Sequence, residues 1–185
     1  MEQATVAFGQ GISITPMQLV RAVCACVNGG TLYKPYLVDK IIDSYSNDIV
    51  YEHKPEALRK VISEDASKKM RDALESVVTD GGGKNAYIDG YRIGGKTGTA
   101  QKAVNGSYVD GGYILSFIGI APIDDPKIVL YVAMDNPKNC VQYGGTTVAP
   151  IARKMLVDIL PSMNVKKVSS QRQKAYTFMD TKTLK

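Results

Sequence analysis

The stretch Gly94-Gly95-Lys96-Thr97-Gly98-Thr99-Ala100 decides how this chain of 185 residues folds. Gly98, Asn105-Gly106 and Gly111-Gly112 follow the lysine, so no helix of useful length can form after it. The sequence therefore predicts an extended strand over about 91–102. Two more strand candidates follow, at about 112–121 and 127–135.

The connections between these three strand candidates are short. Asn105-Gly106 lies in the first connection, and Asp124-Asp125-Pro126 makes the second a tight turn. A parallel crossover needs a dozen or more residues, so the strands are predicted to be antiparallel neighbours.

Three helices are predicted to pack on this sheet. The first begins at Thr15-Pro16-Met17-Gln18, a capping box with proline at the first helical position. The second begins after Ser63 and ends at the glycines that follow Asp80, and the third spans about 147–160. The predicted fold class is α+β, with helices on an antiparallel sheet. The side chains predicted to face inward are Leu19, Val20, Val23, Cys24 and Val27 in the first helix, Met70, Ala73, Leu74, Val77 and Val78 in the second, and Val148, Ile151, Ala152, Met155, Leu156 and Ile159 in the third.

Residues 32–62 are predicted to be extended and irregular. Leu37-Val38, Ile41-Ile42 and Ile49-Val50-Tyr51 are the strand candidates in this segment. The lone histidine, His53, is predicted to lie in a solvent-exposed loop.

The three cysteines, Cys24, Cys26 and Cys140, do not make a disulfide framework. Cys24 and Cys26 are two residues apart in a predicted helix and point to different faces, with Cys24 in the core. A metal site that includes His53 matches no standard ligand spacing, so neither a metal nor a cofactor is predicted.

The net charge of +5 belongs to the C-terminal tail. From Asn164 onward, six basic residues stand against Asp180, which leaves about zero net charge for the rest. A nucleic-acid partner is therefore not predicted. The predicted division is a folded portion at 1–162 and a basic linker or tail at 163–185, with binding to an anionic membrane surface or wall polymer as the alternative role of the tail. The sequence contains no run of 18 apolar residues.

One interpretation of the central stretch is a phosphate-binding loop. Residues 90–97 fit G-x-x-x-x-G-K-[ST], and Asp135 after the apolar run 128–134 resembles a Mg²⁺-binding carboxylate. Such a loop needs a buried strand before it and a helix directly after it, because the helix N-terminus helps to bind the phosphates. Residues 83–89 make a poor central strand and no helix can follow, so a P-loop nucleotide hydrolase is the less favoured alternative.

The other interpretation places Lys96-Thr97-Gly98 at the wall of an acyl-transfer site. Lys-Thr-Gly is one of three motifs of the serine acyltransferases that include β-lactamases and penicillin-binding proteins. Lys96 would supply a fixed positive charge beside the nucleophile and the substrate carboxylate, and Thr97 and Thr99 would offer hydroxyls to that carboxylate. The backbone N–H of Thr99 would donate in the oxyanion hole, and Gly98 would let substrate backbone lie close. The predicted catalytic residues are Lys96 and Thr99; the predicted substrate-binding residues are Lys96, Thr97, Gly98 and Thr99.

Further stretches on both sides of the motif occur in a family-specific order. They are Gly9–Gln18, Asn28-Gly29-Gly30 followed by Tyr33-Lys34-Pro35, Gly94–Gln101, Ser116–Pro122, Asp135-Asn136-Pro137, and Tyr143-Gly144-Gly145 through Ala149-Pro150-Ile151. In this order, residues 7–160 resemble the C-terminal half of class B penicillin-binding proteins, in particular their division and sporulation members. A related carboxypeptidase, β-lactamase or antibiotic-sensor domain would share Lys-Thr-Gly, but the matches at 117–122 and 143–150 favour class B.

The resemblance implies a penicillin-binding, β-lactamase-like fold and a peptidoglycan D,D-transpeptidase that cross-links stem peptides and binds β-lactams. The implied partners are stem peptides, β-lactams, an upstream half of the same domain and, in some members, division or sporulation proteins. The implied location is the extracytoplasmic face of the bacterial membrane, with an anchor outside this chain.

The two other family motifs, Ser-x-x-Lys and Ser-x-Asn, do not occur where the resemblance requires them. No serine here has a lysine three positions later, and Ser162-Met163-Asn164 follows Lys-Thr-Gly instead of preceding it. Both motifs are therefore expected in the upstream half, without which the fold is incomplete. The chain alone is expected to be inactive, because acyl transfer needs a nucleophile and an adjacent base, and to associate through exposed apolar patches. A catalytically silent scaffold module is the alternative.

Overall fold

Short hairpins and a three-stranded sheet alternate with helices in the computed structural model, which describes residues 12–104 and 107–168. The helices are α1 (Pro16–Val27), α2 (Glu64–Thr79), α3 (Gly144–Thr147) and α4 (Ala149–Ser162), with a 3-10 turn at Lys84–Ala86. The strands are β1 (Thr31–Tyr33), β2 (Lys40–Ile42), β3 (Ile49–Glu52), β4 (Ala57–Lys60), β5 (Gly94–Val104), β6 (Ser107–Ala121) and β7 (Ile128–Asp135). The three predicted helices are confirmed, with the short α3 as an additional turn before α4.

The main sheet consists of β5, β6 and β7 in that order, and both strand pairs are antiparallel. Lys96 pairs with Ile118 across β5 and β6, and Ile118 pairs with Tyr131 across β6 and β7. The prediction of antiparallel neighbours is therefore confirmed. The predicted turn at Asn105-Gly106 lies outside the described residues.

The core lies on both faces of this sheet. Phe117 of β6 is buried in one cluster with Leu156 of α4, whereas Ile120 belongs to a second cluster that includes Val27 of α1 and Leu74 of α2. Alternate residues of a strand point to opposite faces. The sheet is thus held between α4 on one side and α1 with α2 on the other.

The first helix begins as its sequence predicts. The N–H of Gln18 donates to Thr15 Oγ1 at 3.2 Å, and the N–H of Thr15 donates back to Gln18 Oε1 at 2.9 Å. This reciprocal pair satisfies two backbone donors that a helix start would otherwise leave free. Ser63 caps α2 in the simpler form, accepting from the N–H of Ala66 at 3.1 Å.

The buried stripe of α2 differs from the prediction. Met70 and Ala73 are exposed, while Ser67 is fully buried. Ser67 Oγ accepts the N–H of Gly29 at 3.0 Å, so the end of α1 lies over this position of α2. A polar residue therefore takes a core position because it satisfies a buried backbone donor, which an apolar pattern cannot reveal.

The buried stripe of α4 is only partly the predicted one. Val148, Ala152 and Leu156 are buried as predicted, whereas Ile151 and Met155 are exposed and Ala149 and Leu160 join the core. The buried positions recur at intervals of three and four, so the helical period is confirmed but the stripe is narrower than predicted. In α1, the predicted Val27 is buried, Cys24 is half-buried, and Ala25 is a core residue that the pattern missed.

Residues 31–60 form two small two-stranded antiparallel sheets, one from β1 and β4 and one from the hairpin of β2 and β3. The predicted strands at Ile41-Ile42 and Ile49-Val50-Tyr51 are present, but Leu37-Val38 is not a strand. Leu37 is 96% exposed in the connection from β1 to β2, where no strand is paired with it. The sequence missed β1 and β4 because their pairing joins residues nearly thirty positions apart.

His53 is not the exposed loop residue that the sequence predicted. Its ring stacks on Tyr36 with 3.7 Å between centroids, and its Nδ1 lies 3.2 Å from the hydroxyl of Tyr51. The two aromatic rings cover each other and leave His53 half-buried.

In the turn between β2 and β3, the backbone N–H groups of Ser46 and then of Tyr45 donate hydrogen bonds to the carboxylate of Asp43, and these bonds lower its pKa.

The first residues after α4 lie against the folded portion. Val165 packs on the main core, and the N–H of Val168 donates to the carbonyl of Gly90 at 2.8 Å. The ammonium of Lys167 lies 5.8 Å from the ring centroid of Tyr91.

Across residues 12–104 and 107–168, every helix is too short or too polar to span a bilayer.

Candidate functional site

The four predicted site residues lie together in the first half of β5. Lys96 is exposed, and Thr97, Gly98 and Thr99 are half-buried. Since side chains alternate along a strand, Lys96 and Gly98 share one face and the two threonines share the other. The strand thus presents a cation on one face and two hydroxyls on the opposite face, within four consecutive residues.

β5 is an edge strand of the sheet. In the part of the chain that the structure describes, it pairs with β6 along one side and with no strand along the other. The Lys96 ammonium donates to the carbonyl oxygen of Thr97 at 2.8 Å, which places that carbonyl on the open side. In an antiparallel pair, alternate residues direct their backbone groups to the same side. The N–H of Thr99 therefore points to the open edge as well.

Gly98 leaves no room for a side chain on its own face. A Cβ built on this residue would collide with Ser116 Oγ, which belongs to the residue opposite it on β6. The space that glycine leaves is therefore filled by the serine hydroxyl.

On the other face, Thr99 is joined to the loop that leads into the first residues of α3. The N–H of Gly144 donates to Thr99 Oγ1 at 3.2 Å. Because the hydroxyl accepts this bond, its own proton stays available for a second partner. A Cβ on Gly144 would lie 2.5 Å from the carbonyl oxygen of Gly98 and 2.6 Å from that of Ser116. This loop therefore lies directly on the backbone of β5 and β6.

The same loop is held from the outside by the turn after α2. Asn85 Nδ2 donates to the carbonyl of Gly145 at 2.9 Å. A Cβ on Gly145 would collide with the carbonyl oxygen of Gly82, and one on Gly82 would lie 2.5 Å from the hydroxyl oxygen of Tyr143. We call residues 143–145 the glycine loop and residues 82–86 the clamp turn; their backbones are in close contact.

The sequence did not predict Gly144, Asn85 or Ser116 as site residues. Two adjacent glycines at Gly144-Gly145, directly before a helix, were the available signal for a close backbone approach. Asn85 lies in no pattern of its own, and Ser116 only opens the stretch 116–122 that carries part of the family resemblance. Only the tertiary structure brings Asn85 to a residue sixty positions away.

A buried ion pair fixes the residues just before β5. Arg92 donates through Nε to Glu75 of α2 at 2.7 Å, and its Nη2 contacts the other carboxylate oxygen. The side chains are 8% and 14% exposed, respectively. The carbonyl of Arg92 also accepts the N–H of Ile123 at 2.9 Å. These bonds tie the start of β5 to both α2 and the turn after β6.

Electrostatic shifts occur next to the clamp turn and in α1. Burial, followed by the charge of Asp89, raises the pKa of Tyr87. Burial also raises the pKa of the Cys24 thiol. No group of three or more His, Cys, Asp or Glu side chains that could hold a metal occurs within residues 12–104 and 107–168.

This geometry does not fit a phosphate-binding loop. Lys96-Thr97 lies inside a strand that continues to Val104, so no helix N-terminus follows the lysine. What the arrangement can do is bind an extended, anionic chain along the open edge. Such a chain would meet an ammonium group, hydroxyls and a backbone N–H.

Comparison with known proteins gives consistent results. The family model of the penicillin-binding protein transpeptidase domain matches residues 1–157. The chain is 54% identical over 184 residues to stage V sporulation protein D of Bacillus subtilis, covering 100% of this chain and 28% of that protein. It is 33% identical over 172 residues to a peptidoglycan D,D-transpeptidase FtsI homolog of Mesostigma viride, covering 86% and 29%.

Solved structures show the same fold. The transpeptidase domain of penicillin-binding protein 3 from Burkholderia pseudomallei aligns with a TM-score of 0.76 and 36% identity, over 91% of this chain and 48% of that one. Penicillin-binding protein 3 from Mycobacterium tuberculosis aligns with a TM-score of 0.76 and 29% identity, over 90% and 39%. This chain therefore spans less than half of either solved chain, and less than a third of either curated relative named above.

Proposed function

Because the chain belongs to the penicillin-binding protein transpeptidase family, we propose that it forms the Lys-Thr-Gly wall of a peptidoglycan D,D-transpeptidase site. Membership confirms the resemblance to class B penicillin-binding proteins, and with it the α+β fold of antiparallel sheet and helices. The observation that carries the proposal is the open edge of β5, where the backbone groups are flanked by the cation of Lys96 on one face and the hydroxyls of Thr97 and Thr99 on the other.

A stem peptide would bind as an additional strand along this edge. Its terminal carboxylate would lie at the edge of the strand, where the ammonium of Lys96 would reach it from one face and the hydroxyls of Thr97 and Thr99 from the other. Gly98 is proposed to let the substrate backbone approach along the open edge, because it adds no side chain there; the hydroxyl of Ser116 fills the space beside it on the sheet face. Lys96 and Thr99 are the proposed catalytic residues, and residues 96–99 together are the proposed substrate-binding residues.

The backbone N–H of Thr99 would stabilise the oxyanion. It is directed to the open edge, and as a group within a hydrogen-bonded sheet it needs no rearrangement when charge develops on the substrate carbonyl. Removing one such donor typically costs about 3–4 kcal/mol of transition-state stabilisation.

The nucleophile would come from the upstream half of the domain. A serine there would attack the carbonyl of the penultimate D-Ala, and the bond to the terminal D-Ala would break, with the serine proton passing through a base to the leaving amine. The amine of a neighbouring stem would then attack the acyl-serine, which forms the cross-link and frees the serine. A β-lactam would acylate the same serine by opening its ring. This chain by itself would do neither.

A sporulation role is the more specific form of the proposal. It is supported by the 54% identity with stage V sporulation protein D along the whole chain. Stem peptides and β-lactams are the proposed ligands, with sporulation or division proteins as further partners and the extracytoplasmic membrane face as the location. The proposed division of the chain remains a transpeptidase portion at 1–162 and a basic linker or tail at 163–185.

Labelling with a fluorescent penicillin tests this function. We expect label on the intact protein, on its upstream serine, and none on the 185-residue chain alone. A hydrogen bond to a charged group contributes about 1.5–3 kcal/mol, so Lys96→Ala should slow labelling about 10- to 100-fold. Lys102→Ala is the matched control, since this lysine lies on the same strand but pairs with Asp135 at 2.6 Å.

Two results would contradict the proposal. Label on the chain alone would mean that it holds its own nucleophile. A folded intact protein that takes no label would point to the silent scaffold module instead.

A further inference from the structure

We propose that Asn85 is a positioning residue that acts on Thr99 through the glycine loop. The inference rests on the proposed function, because it concerns the orientation of a hydroxyl that would bind the substrate carboxylate. It names a residue outside the Lys-Thr-Gly strand.

The first step is the bond between Gly144 and Thr99. The Thr99 hydroxyl accepts the Gly144 N–H at 3.2 Å, and this bond is partly buried. A hydroxyl that accepts in one direction can donate only along the directions that its rotation leaves open. The position of the Gly144 N–H therefore selects where the Thr99 proton points.

The second step is the contact between Gly144 and the sheet. An ideal Cβ on Gly144 would lie 2.5 Å from the carbonyl oxygen of Gly98 and 2.6 Å from that of Ser116, so the Cα of Gly144 already lies close to the backbone of β5 and β6. The loop therefore cannot move closer to the sheet. It can only move away, and such a movement lengthens the bond to Thr99.

The third step is the restraint that opposes this outward movement. Asn85 of the clamp turn donates to the carbonyl of Gly145 at 2.9 Å, one residue after Gly144. The backbone of the clamp turn meets the glycine loop at Gly82, whose carbonyl oxygen leaves no room for a Cβ on Gly145. The carbonyl of Tyr87, just after this turn, accepts a bond from Arg153 of α4 at 2.8 Å, so the turn is itself anchored. The hydrogen bond from Asn85 thus holds the glycine loop in a fixed position relative to the anchored clamp turn.

Asn85→Asp removes this restraint with little change of shape. The carboxylate cannot donate to the Gly145 carbonyl and repels it instead, which favours outward movement of the loop. Small displacements of a positioning group change rates strongly; a 1 Å shift can cost about 100-fold. For a single loop bond we expect acylation of the intact protein by penicillin to slow about 3- to 30-fold.

Asn28→Asp is the matched control. The Asn28 side chain also donates an amide N–H to a backbone carbonyl at 2.9 Å, that of Thr31, but it lies at the end of α1. The same bond is lost and the same charge is gained, so a general effect on stability would appear in both variants. Acylation by Asn28→Asp should match that of the unchanged protein.

A double-mutant cycle separates positioning from a merely structural role. Thr99→Val keeps the backbone N–H but removes the hydroxyl, so Asn85 has nothing left to orient. We expect Asn85→Asp to slow acylation in the unchanged background and to have no further effect beside Thr99→Val. Asn85→Ala, which removes the donor without adding charge, should show the same pattern with a smaller loss.

The outcomes are distinct. Equal acylation rates for Asn85→Asp and the unchanged protein, or losses that multiply in the double mutant, would overturn the inference and leave the proposed function intact. Failure of the unchanged intact protein to react with penicillin would instead overturn the proposed function on which it rests.

Discussion

Gly98 and Ser116 face each other across β5 and β6, and the hydroxyl of Ser116 fills the space that a Cβ on residue 98 would need. The Cβ and the carbonyl oxygen of Ser116 lie farther from that point, at 3.7 and 4.0 Å. A single rotatable atom therefore keeps residue 98 a glycine on this face of the sheet.

Gly98→Ala should destabilise the intact protein by about 1–3 kcal/mol, the usual cost of an extra methyl group in a packed site. Ser116→Ala in the same chain should recover most of the loss, because it removes the colliding oxygen. Urea unfolding of the two single variants and the double variant measures this coupling. Additive losses in the double variant would mean that another atom opposes the new methyl group.

Gly144→Ala should cost more, about 3 kcal/mol or above, and Ser116→Ala should not relieve it. The atoms in the way are the backbone carbonyl oxygens of Gly98 and Ser116, which no change of rotamer can move. The loop would have to lift from the sheet and lose its bond to Thr99. The same unfolding series, with Ser116→Ala in both backgrounds, tests the contrast; rescue of Gly144→Ala would contradict it.

Glu75→Ala should lower the free energy of unfolding by about 3–5 kcal/mol, because it leaves the buried guanidinium of Arg92 without its carboxylate. The matched control is Asp65→Ala on the same helix. Asp65 pairs with Lys69 at 2.8 Å, but these side chains are 72% and 76% exposed, so its loss should change stability by no more than about 0.5 kcal/mol. Similar losses of stability in Glu75→Ala and Asp65→Ala would show that burial does not strengthen the ion pair between Glu75 and Arg92.

A pH dependence follows from the raised pKa of Cys24. The folded state keeps the thiol proton at pH values where the unfolded chain has lost it. The stability from this difference is fully present below the ordinary thiol pKa of about 8.5 and is lost as pH rises through the folded value. Between pH 7 and 10, urea unfolding midpoints should therefore fall less in Cys24→Ala than in the unchanged protein. Parallel curves would mean that Cys24 does not contribute.

The elements that the sequence predicted well are those whose signals are local. The capping box at Thr15, the glycines after α2 and the short connections between β5, β6 and β7 each act over a few residues, and each is present. The helix residues that face the core were predicted only in part. Ser67 displaced Met70 from the core because of a bond to Gly29, a residue of another element.

The site shows the same limit. Residues 96–99 could be proposed as site residues because they are consecutive and their residue types suit a carboxylate and an oxyanion. Asn85 and Gly144 could not, because their roles depend on contacts across 60 and 45 positions of the chain. Residue type alone does not report such contacts.

The tight packing around Gly98 and Gly144 has a consequence for resistance to β-lactams, which are proposed ligands of this site. If they bind along β5 as proposed, a variant could exclude them by adding a side chain over this strand. At Gly144 the first carbon of such a side chain meets backbone atoms, and at Gly98 it meets the hydroxyl of Ser116. Added bulk therefore costs stability at both positions, and more at Gly144, so we expect selection for resistance to act first on the residues around them.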